Sequence, residues 1–188
     1  FIGAGRDNKI AAGEGQVIVG GLSSCICGAG CGSFMGGGIH NLIDGDTSSV
    51  IGGFCNIVEG DFASIVGGCK NCIGSSGDNS SIFAGISNVA TSCNLFIGAG
   101  CCNFSEGPGS VIGGGCTNFI QGDSASIVGG LLNVACGARS FIGGGKQNES
   151  LGAESTVAGG LSSCATATGA SVIGGANNRA AGTCAVVG

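Results

Sequence analysis

The chain has 188 residues, of which 43 are glycine and one is proline; it has no Trp or Tyr, 9% charged side chains and a formal net charge of −5. That composition does not describe an ordinary globular domain. Nor does it describe a disordered linker, because mean hydropathy is +0.50 and rows of Ile, Val and Phe run through the glycines.

Collagen is excluded because glycine does not recur at every third position. The negative balance and the scattered Lys and Arg argue against nucleic acid and anionic membrane surfaces as partners. No apolar run reaches the length of a membrane span, so no membrane insertion is expected, and no signal peptide is legible.

In chain order, one motif returns from Phe1-Ile2-Gly3 to Val186-Val187-Gly188, and Ser110-Val111-Ile112-Gly113-Gly114-Gly115-Cys116-Thr117-Asn118 is its clearest copy. Aligned on the first glycine, neighbouring copies are 14 residues (Val172 to Val186) to 17 residues (Ile65 to Ile82) apart. A period in this range, with fixed glycines and a polar corner, predicts a solenoid. The expected fold is all-β: a parallel β-solenoid, or β-roll, of about 12 coils, about 15 residues per coil, with two short strands in each. Residues 1–188 form a single repetitive domain on this reading, and the start and stop inside a repeat suggest a longer repetitive chain. At about 4.8 Å per coil the rod would be on the order of 60 Å long, without helix.

The first strand of each repeat is the Ser-x-Ile segment, and the glycines after it turn the chain. An Asn corner follows at Asn41, Asn56, Asn71, Asn103, Asn118, Asn133 and Asn148, and likewise at Asn8, Asn88 and Asn178, with Ser24 and Ser163 substituting. Asn tolerates left-handed backbone and can stack as a ladder from coil to coil. The second strand starts after the Asn. Two residues beyond the Asn the side chain is apolar (Ile43, Val58, Ile73, Ile120), and its neighbours include Asp44, Glu59 and Gln121. This strand therefore has one dry and one wet face.

The first strand departs from alternation, because both positions before the first glycine are apolar. Neighbouring side chains on a strand point to opposite faces, so one row fills the coil and the other needs a partner outside it. Lateral self-association is the expected answer, with end-to-end stacking a second mode, since no capping element is legible at either end.

Segments such as Gly60-Asp61-Phe62-Ala63-Ser64-Ile65-Val66-Gly67-Gly68 and Gly122-Asp123-Ser124-Ala125-Ser126-Ile127-Val128-Gly129-Gly130 resemble the head repeats of trimeric autotransporter adhesins and related β-roll repeats of phage and viral fibres. The resemblance implies a left-handed roll, a trimer, and a place outside the cell, on a cell or virion surface. It also implies which row faces in. Ile51, Val66, Ile97, Ile112, Val128 and Ile142 would form the core row, and Phe34, Val50, Ile65, Val111, Ile127 and Phe141 the oligomer interface. This chain departs from that family in its longer period and in its 13 cysteines.

The cysteines admit three readings. Cys69-Lys70-Asn71-Cys72 is a lone C-x-x-C, so a metal site has little support. Many cysteines replace Val, Thr or Ser and read as small buried side chains. Cys101 and Cys116 occupy one slot in successive coils, at a spacing that suits a disulfide and an oxidising exterior.

No enzyme is expected, with no catalytic residues, no metal and no cofactor. His40, the only histidine, sits in a corner slot filled elsewhere by Cys55, Lys70 and Thr117. Asp44 with Asp46, and Glu59 with Asp61, flank turn glycines and read as solubilising groups, with weak Ca²⁺ binding as the alternative. The glycine runs lack the Lys-Ser/Thr of a phosphate loop. The leading function is a structural subunit of an extracellular fibre or filament. An adhesin or receptor-binding shaft, with a host or surface receptor as partner, comes second. An ice-binding solenoid comes third, because Thr47, Thr91, Thr117 and Thr156 form no column.

Overall fold

A computed structural model describes residues 1–11, 13–28 and 30–188. The fold is an all-β parallel solenoid of about twelve turns, about fifteen residues apart, with two strands per turn and, among the described residues, no helix. Among the described residues, twenty-four strands of two residues each run from β1 (Lys9–Ile10) and β2 (Val17–Ile18) to β24 (Val186–Val187). Odd-numbered strands pair in parallel with one another and form the first sheet; even-numbered strands form the second. By contacts the chain divides into two units, Phe1–Ala99 and Gly100–Gly188, each with six strands of either kind.

Register bears out the period of about fifteen and corrects the scatter around it. In the second unit Ile112 pairs with Ile127, Ile127 with Ile142, Ile142 with Val157 and Val157 with Val172, a constant fifteen residues. In the first unit Met35, Val50 and Ile65 are also fifteen apart, whereas Ile18 to Met35 and Ile65 to Ile82 take seventeen. The spacing of fourteen disappears. It arose from aligning the copies on their first glycine, which stands at two different places in the coil.

Each coil buries a small, fixed set of side chains. The second sheet contributes Ile18, Met35, Val50, Ile65, Ile82 and Ile97 in the first unit, and Ile112, Ile127, Ile142, Val157 and Val172 in the second, all fully buried. The first sheet contributes Ile26, Ile43, Val58, Ile73 and Ala90, then Ile120, Ala135, Ala165 and Ala180. Ser105 and Ser150 interrupt that second row. Their hydroxyls lie 2.5 Å from Ser110 Oγ and 2.7 Å from Ser155 Oγ across the coil, so the buried polar atoms meet each other.

Backbone N–H groups of the outward strand residues donate to the following coil, as Ser49 does to the Ala63 carbonyl (2.9 Å) and Ile57 to that of Asn71 (2.9 Å). At two corners of the coil a left-handed residue donates backwards. Cys55, Lys70, Thr117 and Leu132 at one corner, and Phe62, Ser124 and Arg139 at another, have φ between +54° and +57°. Their N–H groups point back to the preceding coil, Lys70 to the Phe54 carbonyl (2.9 Å) and Arg139 to that of Asp123 (2.8 Å). Left-handed backbone costs a non-glycine residue about 1–2 kcal/mol. The hydrogen bond between coils holds it there.

Candidate interaction face and cysteine cluster

The row assignment needs correcting at half its positions. Ile97, Ile112 and Ile142 lie inside the coil, and Phe34, Val111 and Phe141 point outward. Val50, Ile65 and Ile127, expected at the interface, are instead fully buried, while Ile51, Val66 and Val128, expected in the core, are exposed. The cause is an exchange between two positions. Side chains before and after the inward residue both point outward. Where Ser49, Ser64, Ser126 or Ser171 precedes it, Ile51, Val66, Val128 or Ile173 follows; where Phe34, Val111 or Phe141 precedes it, Gly36, Gly113 or Gly143 follows. The first glycine therefore comes one residue later in the serine coils. Anchoring on it shifts the inward position by one.

Glycine is obligatory in the second kind of coil. A Cβ on Gly36, Gly113 or Gly143 would collide with the carbonyl oxygen of Ile51, Val128 or Ala158 in the next coil, so the outward bulk has to come from the residue before. Phe83 and Phe96, from the two kinds of coil in succession, still touch edge to face with ring centroids 5.5 Å apart. Bulk changes place, but the face stays covered.

The outward face of the second sheet is consequently apolar, and among the described residues it carries no charged side chain. Three residues further along, a column of isolated parallel bridges within each unit carries Leu22, Ile39, Phe54, Ile86, Leu131 and Leu161, but also the charged Arg6 and Lys146. Most large apolar side chains that remain exposed belong to these two positions, among them Phe96 at 37% and Ile173 at 63%. The first sheet differs: Lys9, Asp44, Glu59, Glu106, Glu149 and Arg179 stand on its outward face. Phe104 and Phe119 stack there as well, with centroids 5.6 Å apart and planes 14° from parallel.

The Asn column is built into the coil interior. Asn41, Asn56, Asn71, Asn103, Asn118, Asn133 and Asn148 are all buried. Asn118 Nδ2 donates to the Gly114 carbonyl in its own coil (3.0 Å) and to the Gly130 carbonyl in the next (3.1 Å), while its Oδ1 accepts the Asn133 backbone N–H (3.1 Å). The glycine it faces has positive φ; Gly130 stands at +97°, and a Cβ on it would strike the Gly145 carbonyl oxygen.

A second polar ladder escaped the sequence reading. Ser33, Ser48 and Ser80 are buried just before the second-sheet strands. Ser48 Oγ donates to the Gly60 carbonyl (2.8 Å) and accepts the Ala63 N–H (3.0 Å). Serines fifteen residues apart were its signal. Asp61 and Asp78 are turn acceptors as well: Asp61 Oδ1 takes the Asp46 N–H (2.8 Å), and Asp78 Oδ1 takes that of Asp61 (2.9 Å). Among the described residues no three His, Cys, Asp or Glu side chains are grouped to hold a metal ion, and no pocket is present. His40 stands at φ +55° with its ring edge-on to Phe54, centroids 6.0 Å apart.

The cysteines fall in several columns. Cys25 and Cys27 flank the inward Ile26 and are disulfide-bonded. Cys101 and Cys116 are bridge partners in successive coils, and their sulfurs lie 2.6 Å apart. The shared hydrogen bond lowers the Cys116 thiol and, with burial, pushes Cys101 up to about 11. Cys164 Sγ lies 3.6 Å from Glu149 Oε2, and burial together with that carboxylate pushes it up to about 11. Burial, with Glu149 and Glu106 nearby, raises Cys136 as well.

No protein-family model matches this chain, and no curated protein is similar to it.

Proposed function

We propose that the chain is a structural subunit of an extracellular fibre or filament, in which solenoids of the same sequence lie side by side with their second-sheet faces together. The observation that carries this reading is the uncharged outward face, where Phe34, Ile51, Val111, Val128 and Phe141 remain exposed. An apolar strip of that kind marks an interaction surface. A second copy suits it, because an apolar face without charge needs an equally uncharged one opposite, and the chain itself supplies that face. The exchange of bulk between two outward positions leaves neighbouring coils with raised and recessed sites, the relief that packed sheets interdigitate. Three chains is the number that the resemblance to trimeric adhesin heads and phage fibres brings.

Sedimentation and electron microscopy of the purified chain test the reading. Multimers are expected, and Val128→Asp or Phe141→Asp should release folded single chains, while Phe119→Asp on the first sheet leaves assembly unchanged. A native chain that stays monomeric at high concentration overturns it. Binding of the assembled material to a host surface would move the reading to an adhesin shaft.

A further inference from the structure

Cys101 and Cys116 stand apart from the other cysteines because backbone pairing, rather than a turn or a flexible end, brings them together. They are partners in a parallel bridge in the second unit. The Cα spacing of such a pair falls within the range a disulfide accepts. Their sulfurs are 2.6 Å apart, closer than an ordinary sulfur hydrogen bond requires and near the roughly 2.05 Å of an S–S bond. Thr117 Oγ1 lies 3.4 Å from Cys116 Sγ, and Cys102 adjoins Cys101 at an exposed left-handed corner.

We propose that Cys101 and Cys116 are a redox modification site, which a low-molecular-weight disulfide closes into a covalent clamp between two successive coils. Cys116 acts first, since Cys101 and Thr117 both hydrogen-bond to it and favour its thiolate. Its sulfur attacks one sulfur of the small disulfide RSSR, forming a mixed disulfide and releasing RS⁻. The Cys101 thiol then gives its proton to solvent or to that thiolate, and its sulfur attacks Cys116 Sγ. This forms the Cys101–Cys116 bond and expels the second RS⁻. In sum two protein thiols are oxidised, and one RSSR is reduced to two RSH. An excess of small thiol reverses the reaction, so the clamp reports the redox state of its surroundings.

Glu106 lies between the two cysteines and supplies the test, because cleavage after it separates them. The folded chain is incubated with oxidised glutathione, free thiols are blocked with iodoacetamide, and the protein is cut at glutamate. Mass spectrometry should find the segment ending at Glu106 joined to the one that starts at Gly107 through Cys116. The link should persist in Cys102→Ser, fall at least about tenfold in Cys101→Ser and Cys116→Ser, and disappear on adding reduced glutathione. Glutathione adducts without the joined peptides overturn the proposal, as does an equal yield of linkage in Cys101→Ser. Circular dichroism of each variant before oxidation confirms that the pairing was tested in folded protein.

Discussion

The two outward faces of the coil surround the same kind of interior and yet present opposite surfaces. Behind both lies a column of single buried aliphatic side chains, Ile65 and Ile127 on the second sheet, Ile73 and Ile120 on the first. In front, the first sheet carries Asp44, Glu59, Glu106 and Glu149, while the second carries serine, glycine and, in most coils, a large apolar side chain. The interior column and the buried Asn and Ser ladders close the coil, and none of them lies on an outward face. The contrast between the faces is therefore not needed to close the solenoid, and it is the strongest sign that one face meets water and the other meets something apolar.

The largest effect that can test this contrast comes from adjacent residues. Ile127→Asp should abolish folding of the second unit, because an unpaired buried carboxylate costs several kcal/mol, whereas Val128→Asp should leave far-UV circular dichroism unchanged. Equal damage from both would mean that outward and inward positions are not distinct. Next is the glycine pair between the faces. Gly130→Ala should cost about 3 kcal/mol or more, from positive φ and the Gly145 carbonyl oxygen together, and Gly129→Ala, whose Cβ would meet nothing within 4 Å, under about 0.5 kcal/mol. Urea titrations of the two variants give the comparison directly.

Asn118→Ala removes two donors and one acceptor from buried backbone groups, and a loss of about 2–3 kcal/mol is expected from the same titration. A smaller gain should come from Leu132→Asn. This corner residue stands at φ +57°, where Asn is the better tolerated side chain, so stability should rise by about 0.5–1 kcal/mol.

The last effect is chemical rather than energetic. Near neutral pH, native alkylation should label Cys116 ahead of Cys101 and Cys164, whose raised values keep them protonated until the solution becomes strongly alkaline. Glu149→Gln removes the negative charge beside Cys164, lowers its thiol towards the ordinary value and should speed its labelling. An unchanged rate would show that burial alone protects it.

Much of the coil was legible because its ladders use side chains of one kind. The Asn column could be read directly, since Asn occupies the same slot in nearly every repeat, and so could the small or aliphatic side chain two residues beyond it. The shared slot of Cys101 and Cys116 was legible for the same reason. The phase of the second sheet was not. Its large apolar residue stands after the inward position where serine precedes it, and before that position where glycine follows, so no single letter marks the register, and the glycine that seemed to mark it moves. The left-handed corners were illegible for a different reason. Cys55, Lys70, Thr117 and Leu132 share no chemistry; what fixes their backbone is an N–H that reaches back to the coil before.

That backward reach also bears on how such a chain can change by inheritance. Every coil of the regular second unit offers its predecessor and its successor the same bonds, in steps of fifteen residues. A duplication or deletion of one whole step joins surfaces that already fit, and it keeps the reading frame. A shift by a single residue turns buried side chains outward and breaks both ladders. Length is thus free to vary in whole coils while the cross-section stays fixed, so selection can set how far the protein extends without redesigning how it folds.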